Sequence, residues 1–229
     1  MELVNSSPLQ KLKRAVASLL GRETANRLSA PYYDWRARRQ TGRTLRGLPA
    51  KDLCVNIGCG SRYLPGWVNL DAARGDKIDV VWDLRRGLPF PAESCAAIFG
   101  EHVIEHIPKP DAELLLRECH RALQPGGTIR LSTPDAGKFL RAYVGDRDFL
   151  ADPRFADSAE TPMDRVNMMM REYGQHLWVY DSESLILLLR KTGFSSAAEQ
   201  SFGVSSHLRL QGIDCAEREF ESLYVEAIK

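Results

Sequence analysis

A short apolar run that ends abruptly at two glycines constrains the fold of this chain more than any other feature. Leu53–Ile57 is apolar at all but one position, as is typical of a strand buried on both faces of a parallel sheet. Gly58-Cys59-Gly60 follows directly. Because glycines in a strand-to-helix turn let the backbone approach a ligand closely, the pattern predicts a ligand site at the carboxyl end of a first parallel strand.

Short apolar runs and helical patterns alternate along the rest of the chain. The predicted strands after the first are Trp67–Asp71, Ile78–Trp82, Ala96–Gly100, Thr128–Thr133, Ser195–Val204 and Ser222–Ile228. The predicted helices are Ala112–Leu123 and a later helix that Ser182 caps and Gly193 ends. Strands that alternate with helices favour an α/β fold with a mostly parallel sheet.

Charge is divided unevenly along the chain. Residues 1–50 contain ten Lys or Arg and three Asp or Glu, although the whole chain has a net charge of +1. Apolar residues recur at helical spacing over Leu9–Leu20, which predicts a basic amphipathic helix, and residues 29–50 favour a flexible or lid-like connection. The predicted domains are a basic helix and arm over 1–50 and one domain over 51–229, with a substrate-specificity insert at 138–175.

The basic segment suits an anionic partner. A phosphate-bearing substrate, an anionic lipid surface and nucleic acid all favour clustered positive charge, and a plain solvated surface is the alternative. We expect at most a weak membrane-surface contact through residues 9–20. Nucleic acid is the less favoured partner, because the sequence carries no evident second RNA-binding domain.

Composition argues against two other classes of protein. No stretch approaches the ~20 apolar residues that span a bilayer, and the first residues lack the pattern of a secretory signal, so we expect a cytoplasmic protein. The cysteines are odd in number and contain no Cys-x-x-Cys pair, which argues against a disulfide framework and a cysteine zinc site. They are Cys54, Cys59, Cys95, Cys119 and Cys215.

Acidic side chains follow the second and third predicted strands. Asp71 stands where a carboxylate can accept hydrogen bonds from the two hydroxyls of a ribose. Asp83 stands where an acceptor can meet the exocyclic amine of adenine, with Leu84 beside it as an apolar contact. An NAD site is less well supported, because Gly58 and Gly60 are not followed by the third glycine of Gly-x-Gly-x-x-Gly.

Four segments in this order resemble the signatures of class I S-adenosylmethionine-dependent methyltransferases. They are Asn56-Ile57-Gly58-Cys59-Gly60, Leu88-Pro89-Phe90, Glu105-His106-Ile107 and Leu123-Gln124-Pro125-Gly126-Gly127. The resemblance covers roughly residues 50–229. It implies a Rossmann-like, doubly wound, mostly parallel seven-stranded sheet with an antiparallel last strand, plus an N-terminal helical arm. It also implies S-adenosylmethionine as cofactor and S-adenosylhomocysteine as product.

The resemblance also implies which residues bind the cofactor. Asn56, Gly58, Cys59 and Gly60 correspond to the loop at the methionine moiety, Asp71 to the ribose contact, Asp83 and Leu84 to the adenine contacts, and Glu101 or His102 to positions beside the reacting centre. One departure stands out, because residues 61–67 are too few for the usual first helix and predict a loop or short turn. Such a Gly-Cys-Gly, Pro-Gly-Trp, Asn-x-Asp pattern resembles a subgroup often associated with polysaccharide or secondary-metabolite pathways.

His102-Val-Ile-Glu105-His106 also matches the His-x-x-Glu-His pattern of a class of zinc peptidases. That pattern needs a long helix and a further ligand, whereas Pro108 and Pro110 interrupt any helix here. We therefore set the metallopeptidase hypothesis aside and predict no metal ligand.

Methyl transfer from a sulfonium is an in-line displacement, and an acceptor hydroxyl or amine also loses a proton. The candidate bases are His102, His176 and His207, with Glu101 near the reacting centre. His176 is favoured because it precedes the last helix, where similar enzymes place substrate-facing residues, although a capping or core histidine is the alternative. Met163 and Met168-Met169-Met170 form either a substrate wall or core packing.

The leading hypothesis is a methyltransferase that acts on oxygen or nitrogen of a small molecule or glycan precursor. A nucleic-acid-binding modifier guided by the basic segment is one alternative. A non-catalytic cofactor-binding or scaffold protein that docks through the basic helix is the other. Fold and cofactor do not decide the acceptor.

Overall fold

A seven-stranded sheet forms the centre of the protein. The computed structural model describes Trp35 and residues 38–75, 77–145, 147–155 and 159–229. The strands are β1 Leu53–Ile57, β2 Val68–Asp71, β3 Val80–Val81, β4 Cys95–Glu101, β5 Leu123–Pro134, β6 Ser196–Glu199 and β7 Ser222–Ile228. Their order in the sheet is β3-β2-β1-β4-β5-β7-β6.

Strand directions confirm the predicted fold class. The five strands from β3 to β5 in the sheet are mutually parallel, and β7 is antiparallel to both β5 and β6. The carboxyl ends of β1, β2 and β4 therefore meet at one edge of the sheet, where doubly wound proteins bind their ligands.

Helices cover the sheet and build the wall of its functional edge. The α-helices bounded within the described residues are α1 Lys109–Ala122, α2 Ala136–Val144, α3 Pro162–Arg171 and α4 Ser182–Lys191. Single turns of 3₁₀ helix occur at Leu84–Arg86, Ile104–His106, Asp148–Ala151, Glu172–Gly174, Leu208–Leu210 and Ala216–Arg218. Apolar side chains of α1 and α4 join those of the sheet in the main core, whereas α2 and α3 pack in a second cluster around Phe139 and Val166.

Residues 38–47 form a helix that lies against β3. The Thr41 hydroxyl accepts a hydrogen bond from the backbone N–H of Val81 at 2.9 Å, and the Gln40 amide donates to the Ile78 carbonyl at 3.0 Å. Leu45 and Leu48 pack against the main core. This docked helix corrects the prediction of a flexible or lid-like connection for this part of residues 29–50, whereas the amphipathic helix predicted at Leu9–Leu20 lies outside the described residues.

We expect Thr41→Val to lower the free energy of unfolding by about 0.5–1.5 kcal/mol, because the partly buried Val81 N–H would lose its hydrogen-bond partner. Urea unfolding followed by circular dichroism measures the change. Thr44→Val, at a half-exposed position on the same helix, is the control. Equal unfolding midpoints for the two variants would show that the helix does not depend on this contact.

The bounds of two predicted strands and the cap of one predicted helix differ from those in the structure. The third strand shrinks from Ile78–Trp82 to two residues, and the Trp82 indole donates instead to the Gly87 carbonyl at 2.8 Å. The strand predicted at Ser195–Val204 ends at Glu199. Asp181, rather than Ser182, caps α4, because its side chain accepts from the Ser184 N–H at 2.9 Å in a capping box.

A buried ion-pair network ties the end of the chain to the sheet. The Arg130 guanidinium in β5 donates to both carboxylate oxygens of Asp214, at 2.8 and 2.5 Å, and to Glu226 in β7 at 2.9 Å. It also donates to the carbonyls of Ser201 and Val204. Both residues follow the end of β6 at Glu199. The segment that was predicted to continue this strand therefore supplies hydrogen-bond acceptors to Arg130 instead.

Candidate active site

The glycine turn after β1 has the geometry that a ligand-binding loop requires. Gly58 and Gly60 have φ angles of +60° and +51°, in the left-handed region. A Cβ at Gly58 would lie 2.2 Å from Val103 Cγ2, whereas a Cβ at Gly60 would meet no atom within 4 Å. The loop is therefore packed on one side and open on the other, which fits the approach of a cofactor. Cys59 lies between these two glycines, and burial raises the pKa of its thiol to about 12.

Asp71 holds this loop in place. Its Oδ2 accepts from the Gly60 N–H at 2.8 Å, and its Oδ1 accepts from the Ala73 N–H at 2.7 Å. The Cys59 N–H donates to the Leu70 carbonyl at 3.1 Å. Asp71 therefore lies beside Gly58 and Gly60, as the ribose prediction requires, and its role toward a ribose stays a prediction.

Asn56 supports the loop from beneath. Its side chain is 2% exposed and donates to the Arg62 carbonyl at 2.9 Å and to Asn69 Oδ1 at 3.0 Å. Asn69 is fully buried, and its amide also binds Leu64 and Asp79. Sequence reasoning missed Asn69 as a functional support, although it is the first residue of the Asn-x-Asp pattern. This network holds residues 61–67 as a loop, as predicted.

Asp83 and Leu84 follow β3. The Asp83 carboxylate caps the turn Leu84–Arg86 and accepts from Arg85 Nη2 at 2.7 Å, and this hydrogen bond lowers the pKa of the carboxyl group. Leu84 is 7% exposed and belongs to the main core. Their contact with adenine remains a prediction.

Glu101 ends β4 and links the glycine loop to the segment before β7. One carboxylate oxygen accepts from the Cys215 N–H at 2.9 Å, and the other forms an ion pair with Arg62. The Arg62 guanidinium also lies over the Phe99 ring, 5.4 Å from its centre. Glu101 is thus engaged by Arg62, which the sequence analysis did not single out.

His102 lies next in the chain, with a left-handed backbone at φ +49°. Arg218 Nη1 donates to its Nδ1 at 3.1 Å, so Nε2 carries the proton that is shared with the Ser222 hydroxyl at 2.7 Å. Burial and the positive charge of Arg218 lower the pKa of His102 well below its usual value. His102 is therefore a neutral imidazole whose free lone pair already faces Arg218.

A cavity of about 550 Å³ opens beside His102. One part of its wall is apolar and comes from aromatic and methionine side chains, and the rest is polar or charged. The lining residues are His102, His106, Pro134, Phe139, Arg154, Phe155, Arg165, Met168, Met169, Glu172, Tyr173, His176, Glu217, Arg218, Phe220 and Glu221. Eight of these lining residues belong to the predicted insert 138–175, and Met169 also packs in the second core cluster.

Two histidines and a glutamate meet at the cavity wall. Glu105, His106 and His176 each present a ligand-type atom, and these atoms lie within 4.8 Å of one another. Burial raises the pKa of the fully buried Glu105 to about 8 and lowers the pKa of His106. Glu172 Oε2 lies 3.0 Å from His176 Nε2 and 3.8 Å from His106 Nε2. The sequence analysis singled out His176 but left Glu105 and Glu172 without a functional role.

The remaining candidates lie apart from this cluster. His207 precedes the turn Leu208–Leu210 and is not among the cavity-lining residues. Met163 is 44% exposed, whereas Met168 and Met169 line the cavity and Met169 also packs in the second core cluster, so a substrate wall stays a prediction. Within the residues that the structure describes, no helix has the length and apolar character needed to cross a bilayer.

The fold and the glycine loop define a Rossmann-like α/β protein with a nucleotide-type cofactor site. The family model described as a methyltransferase domain matches residues 20–199, and the chain belongs to this family. The class indicated by the motifs and its cofactor, S-adenosylmethionine, are thereby confirmed. The match begins well before residue 51, where the sequence analysis placed the start of the domain.

Relatives share parts of this chain. A malonyl-[acyl-carrier protein] O-methyltransferase of Dechloromonas aromatica (strain RCB) is 34% identical over 144 residues, which are 52% of this chain and 53% of that protein. The chain thus spans about half the length of the curated relative it matches. A possible histamine N-methyltransferase of Thermotoga maritima is similar in structure, with a TM-score of 0.48, 18% identity, and coverage of 89% of this chain and 97% of that chain.

A further similar structure is the 1,6-didemethyltoxoflavin-N1-methyltransferase of Burkholderia thailandensis with bound 1,6-didemethyltoxoflavin and S-adenosylhomocysteine. Its TM-score is 0.46 and its identity 13%, with coverage of 100% of this chain and 93% of that chain.

Proposed function

We propose that this protein transfers the methyl group of S-adenosylmethionine to an oxygen atom of a small-molecule or glycan-precursor acceptor. The observation that carries the proposal is the cavity at His102. It lies at the end of β4, the strand beside β1 and its glycine loop. Its volume of about 550 Å³ suits a small ligand, since such sites typically measure roughly 300–1,000 Å³.

Oxygen is the proposed acceptor atom for two reasons. The curated relative is an O-methyltransferase by name, and the cavity wall presents histidine and arginine side chains that can bind an oxygen acceptor. In the reaction a bond forms from this oxygen to the methyl carbon as the sulfur–carbon bond breaks. The neutral thioether S-adenosylhomocysteine leaves, and the acceptor proton, if present, passes to water or to a basic side chain.

His102 orients the acceptor rather than removing its proton. Its lone pair is occupied by the Arg218 guanidinium, so proton removal by His102 would first require Arg218 to move. We propose instead that His102 and Arg218 shape the floor of the cavity and orient the acceptor. Much of the rate of such a displacement comes from holding the two reactants in line.

Filling the cavity tests the proposal. We expect Met168→Trp to lower kcat/KM for the acceptor by roughly tenfold or more, because the larger side chain competes for its volume. The dissociation constant for S-adenosylmethionine should stay the same. The assay detects S-adenosylhomocysteine released with a panel of carboxylates, phenols and sugars, and calorimetry measures cofactor affinity.

Met163→Trp, on the exposed side of the same helix, is the matched control. Equal methyl transfer by the two variants would place the acceptor outside this cavity. Methyl transfer to RNA but to no member of the panel would favour the nucleic-acid alternative. A folded wild-type protein that does not bind S-adenosylmethionine would contradict the proposed activity itself.

A further inference from the structure

The two histidines of the cluster are held in a way that prepares them for a cation. The Nδ1 atom of His106 lies 3.1 Å from the Gln175 carbonyl, and the Nδ1 atom of His176 contacts the Met169 carbonyl. A carbonyl can only accept, so each Nδ1 carries a proton. On each histidine, the lone pair available to a cation is therefore that of Nε2, and this arrangement is the one commonly found for metal-binding histidines.

The surroundings of these lone pairs are electron-rich. Both Nε2 atoms face the carboxylate oxygen Oε2 of Glu172, at 3.0 Å for His176 and 3.8 Å for His106. The two rings lie 5.0 Å apart and meet edge to face. These three atoms favour a positive charge between them, and a bound cation supplies that charge without placing one on either imidazole ring.

Glu105 supplies a second, independent observation. Its side chain is fully buried, and neither carboxylate oxygen meets hydrogen-bond geometry with a donor among the described residues, although the Thr133 side chain lies close enough to lower the pKa of the carboxyl group against the larger effect of burial. The Nδ1 atom of the neutral His102 ring lies 3.4 Å from Oε1. Buried carboxylates are normally paired or bound to a metal ion, because an isolated buried charge is strongly unfavourable.

From these contacts we propose that Glu105, His106 and His176 bind a divalent transition-metal ion, with Glu172 beside them as a further ligand or counter-charge. Two imidazoles and one carboxylate form a donor set that Zn²⁺ and other divalent ions of the first transition row accept. The ligand atoms lie within 4.8 Å of one another, and small side-chain movements would bring them to the ~3.3 Å separation that metal–ligand bonds of about 2.0–2.1 Å produce.

The chain builds this site without the long helix that the sequence pattern demands in a peptidase. Ile104–His106 is a single 3₁₀ turn, and α1 begins at Lys109, immediately after Pro108. The missing ligand comes instead from His176, beyond α3. The left-handed residues Glu172 and Tyr173 turn the chain so that Glu172 and His176 face His106.

The position of the ion indicates a role in binding the acceptor, and this role rests on the proposed function. Because His106, His176 and Glu172 line the acceptor cavity, an open coordination position would face the acceptor. There the cation would bind the acceptor oxygen, lower its pKa and hold it toward the methyl group, while its proton passes to water. This role would remove the need for a free histidine base.

Titration of the metal-free full-length protein with Co²⁺ and Zn²⁺ tests the site directly. We expect one ion per chain and visible Co²⁺ absorption bands typical of nitrogen and oxygen ligands. Glu105→Gln and His176→Asn should each weaken binding by about 100-fold or more, since even outer-shell changes cost 10- to 100-fold. His120→Asn, three turns along α1, is the control and should bind as the wild type does.

The melting temperature and the binding of S-adenosylmethionine distinguish failure of the metal site from failure of the proposed function. The melting temperature of metal-free Glu105→Gln should equal or exceed that of the wild type, because a neutral amide replaces a buried acid, whereas stabilisation by the ion should be lost. Absence of binding by a folded wild type, equal binding by all variants, or a thiolate charge-transfer band would overturn the metal site. Calorimetric binding of S-adenosylmethionine in the same samples reports on the proposed function independently.

Discussion

Asp71→Ala is expected to raise the dissociation constant for S-adenosylmethionine by roughly 100-fold. The substitution removes the acceptor that holds the Gly60 N–H at 2.8 Å, and with it the carboxylate predicted to bind the ribose. Two hydrogen bonds to a charged group contribute about 1.5–3 kcal/mol each, and about 3 kcal/mol in total corresponds to 100-fold in affinity. Isothermal calorimetry with S-adenosylmethionine and S-adenosylhomocysteine measures the change.

Two matched variants make this result interpretable. Asp71→Asn keeps one oxygen acceptor and should lose less affinity than Asp71→Ala. Glu199→Ala removes an exposed carboxylate from β6, at the opposite end of the sheet, and should leave affinity unchanged. If Asp71→Ala folds and binds the cofactor as tightly as Glu199→Ala does, the carboxylate is a turn residue with no role in binding.

The largest expected loss of stability comes from Arg130→Met. This side chain is fully buried, and its removal leaves Asp214, also fully buried, and Glu226 without their counter-charge. Breaking a buried ion pair by removing one partner costs about 3–5 kcal/mol. Urea unfolding monitored by circular dichroism at constant pH measures the difference.

An exposed pair provides the comparison for Arg130. Arg117 binds Glu113 at 2.6 Å on the surface of α1, with 55% and 40% of the two side chains exposed. Arg117→Met should cost less than about 1 kcal/mol, because water screens such a pair. Similar unfolding midpoints for Arg117→Met and Arg130→Met would show that the buried network contributes little to stability.

The sequence predicted the parts of the fold that local pattern decides. The bounds of Leu53–Ile57 and Ser222–Ile228 agree with the structure because both strands are continuous buried runs. The glycine turn was predictable because few residues other than glycine tolerate its backbone. The cap of α4 was misplaced by one residue, since serine and aspartate favour a cap almost equally and the partner three residues on decides between them.

Tertiary contacts account for what the sequence did not reveal. The helix at 38–47 carries four arginines and looked like a surface arm, yet Leu45 packs against the main core and the Thr41 hydroxyl binds β3. Glu105 and His176 are 71 positions apart in the chain, so their meeting depends on how the insert folds back over the sheet. The metallopeptidase hypothesis for His-x-x-Glu-His was set aside because the motif lies on a single short turn rather than on a long helix. That argument does not apply to the proposed metal site, whose further ligand, His176, comes from a distant part of the chain.

The contacts of Thr41 with β3 and of Gln40 with Ile78, just before β3, have a consequence beyond the folding of one molecule. An edge strand offers unpaired backbone groups to any neighbouring chain, and proteins protect edge strands to avoid aggregation. Here side chains of the 38–47 helix occupy the N–H of Val81 and the carbonyl of Ile78. The arginine-rich segment therefore acts as a shield against intermolecular strand pairing, and its positive charge adds mutual repulsion between neighbouring molecules.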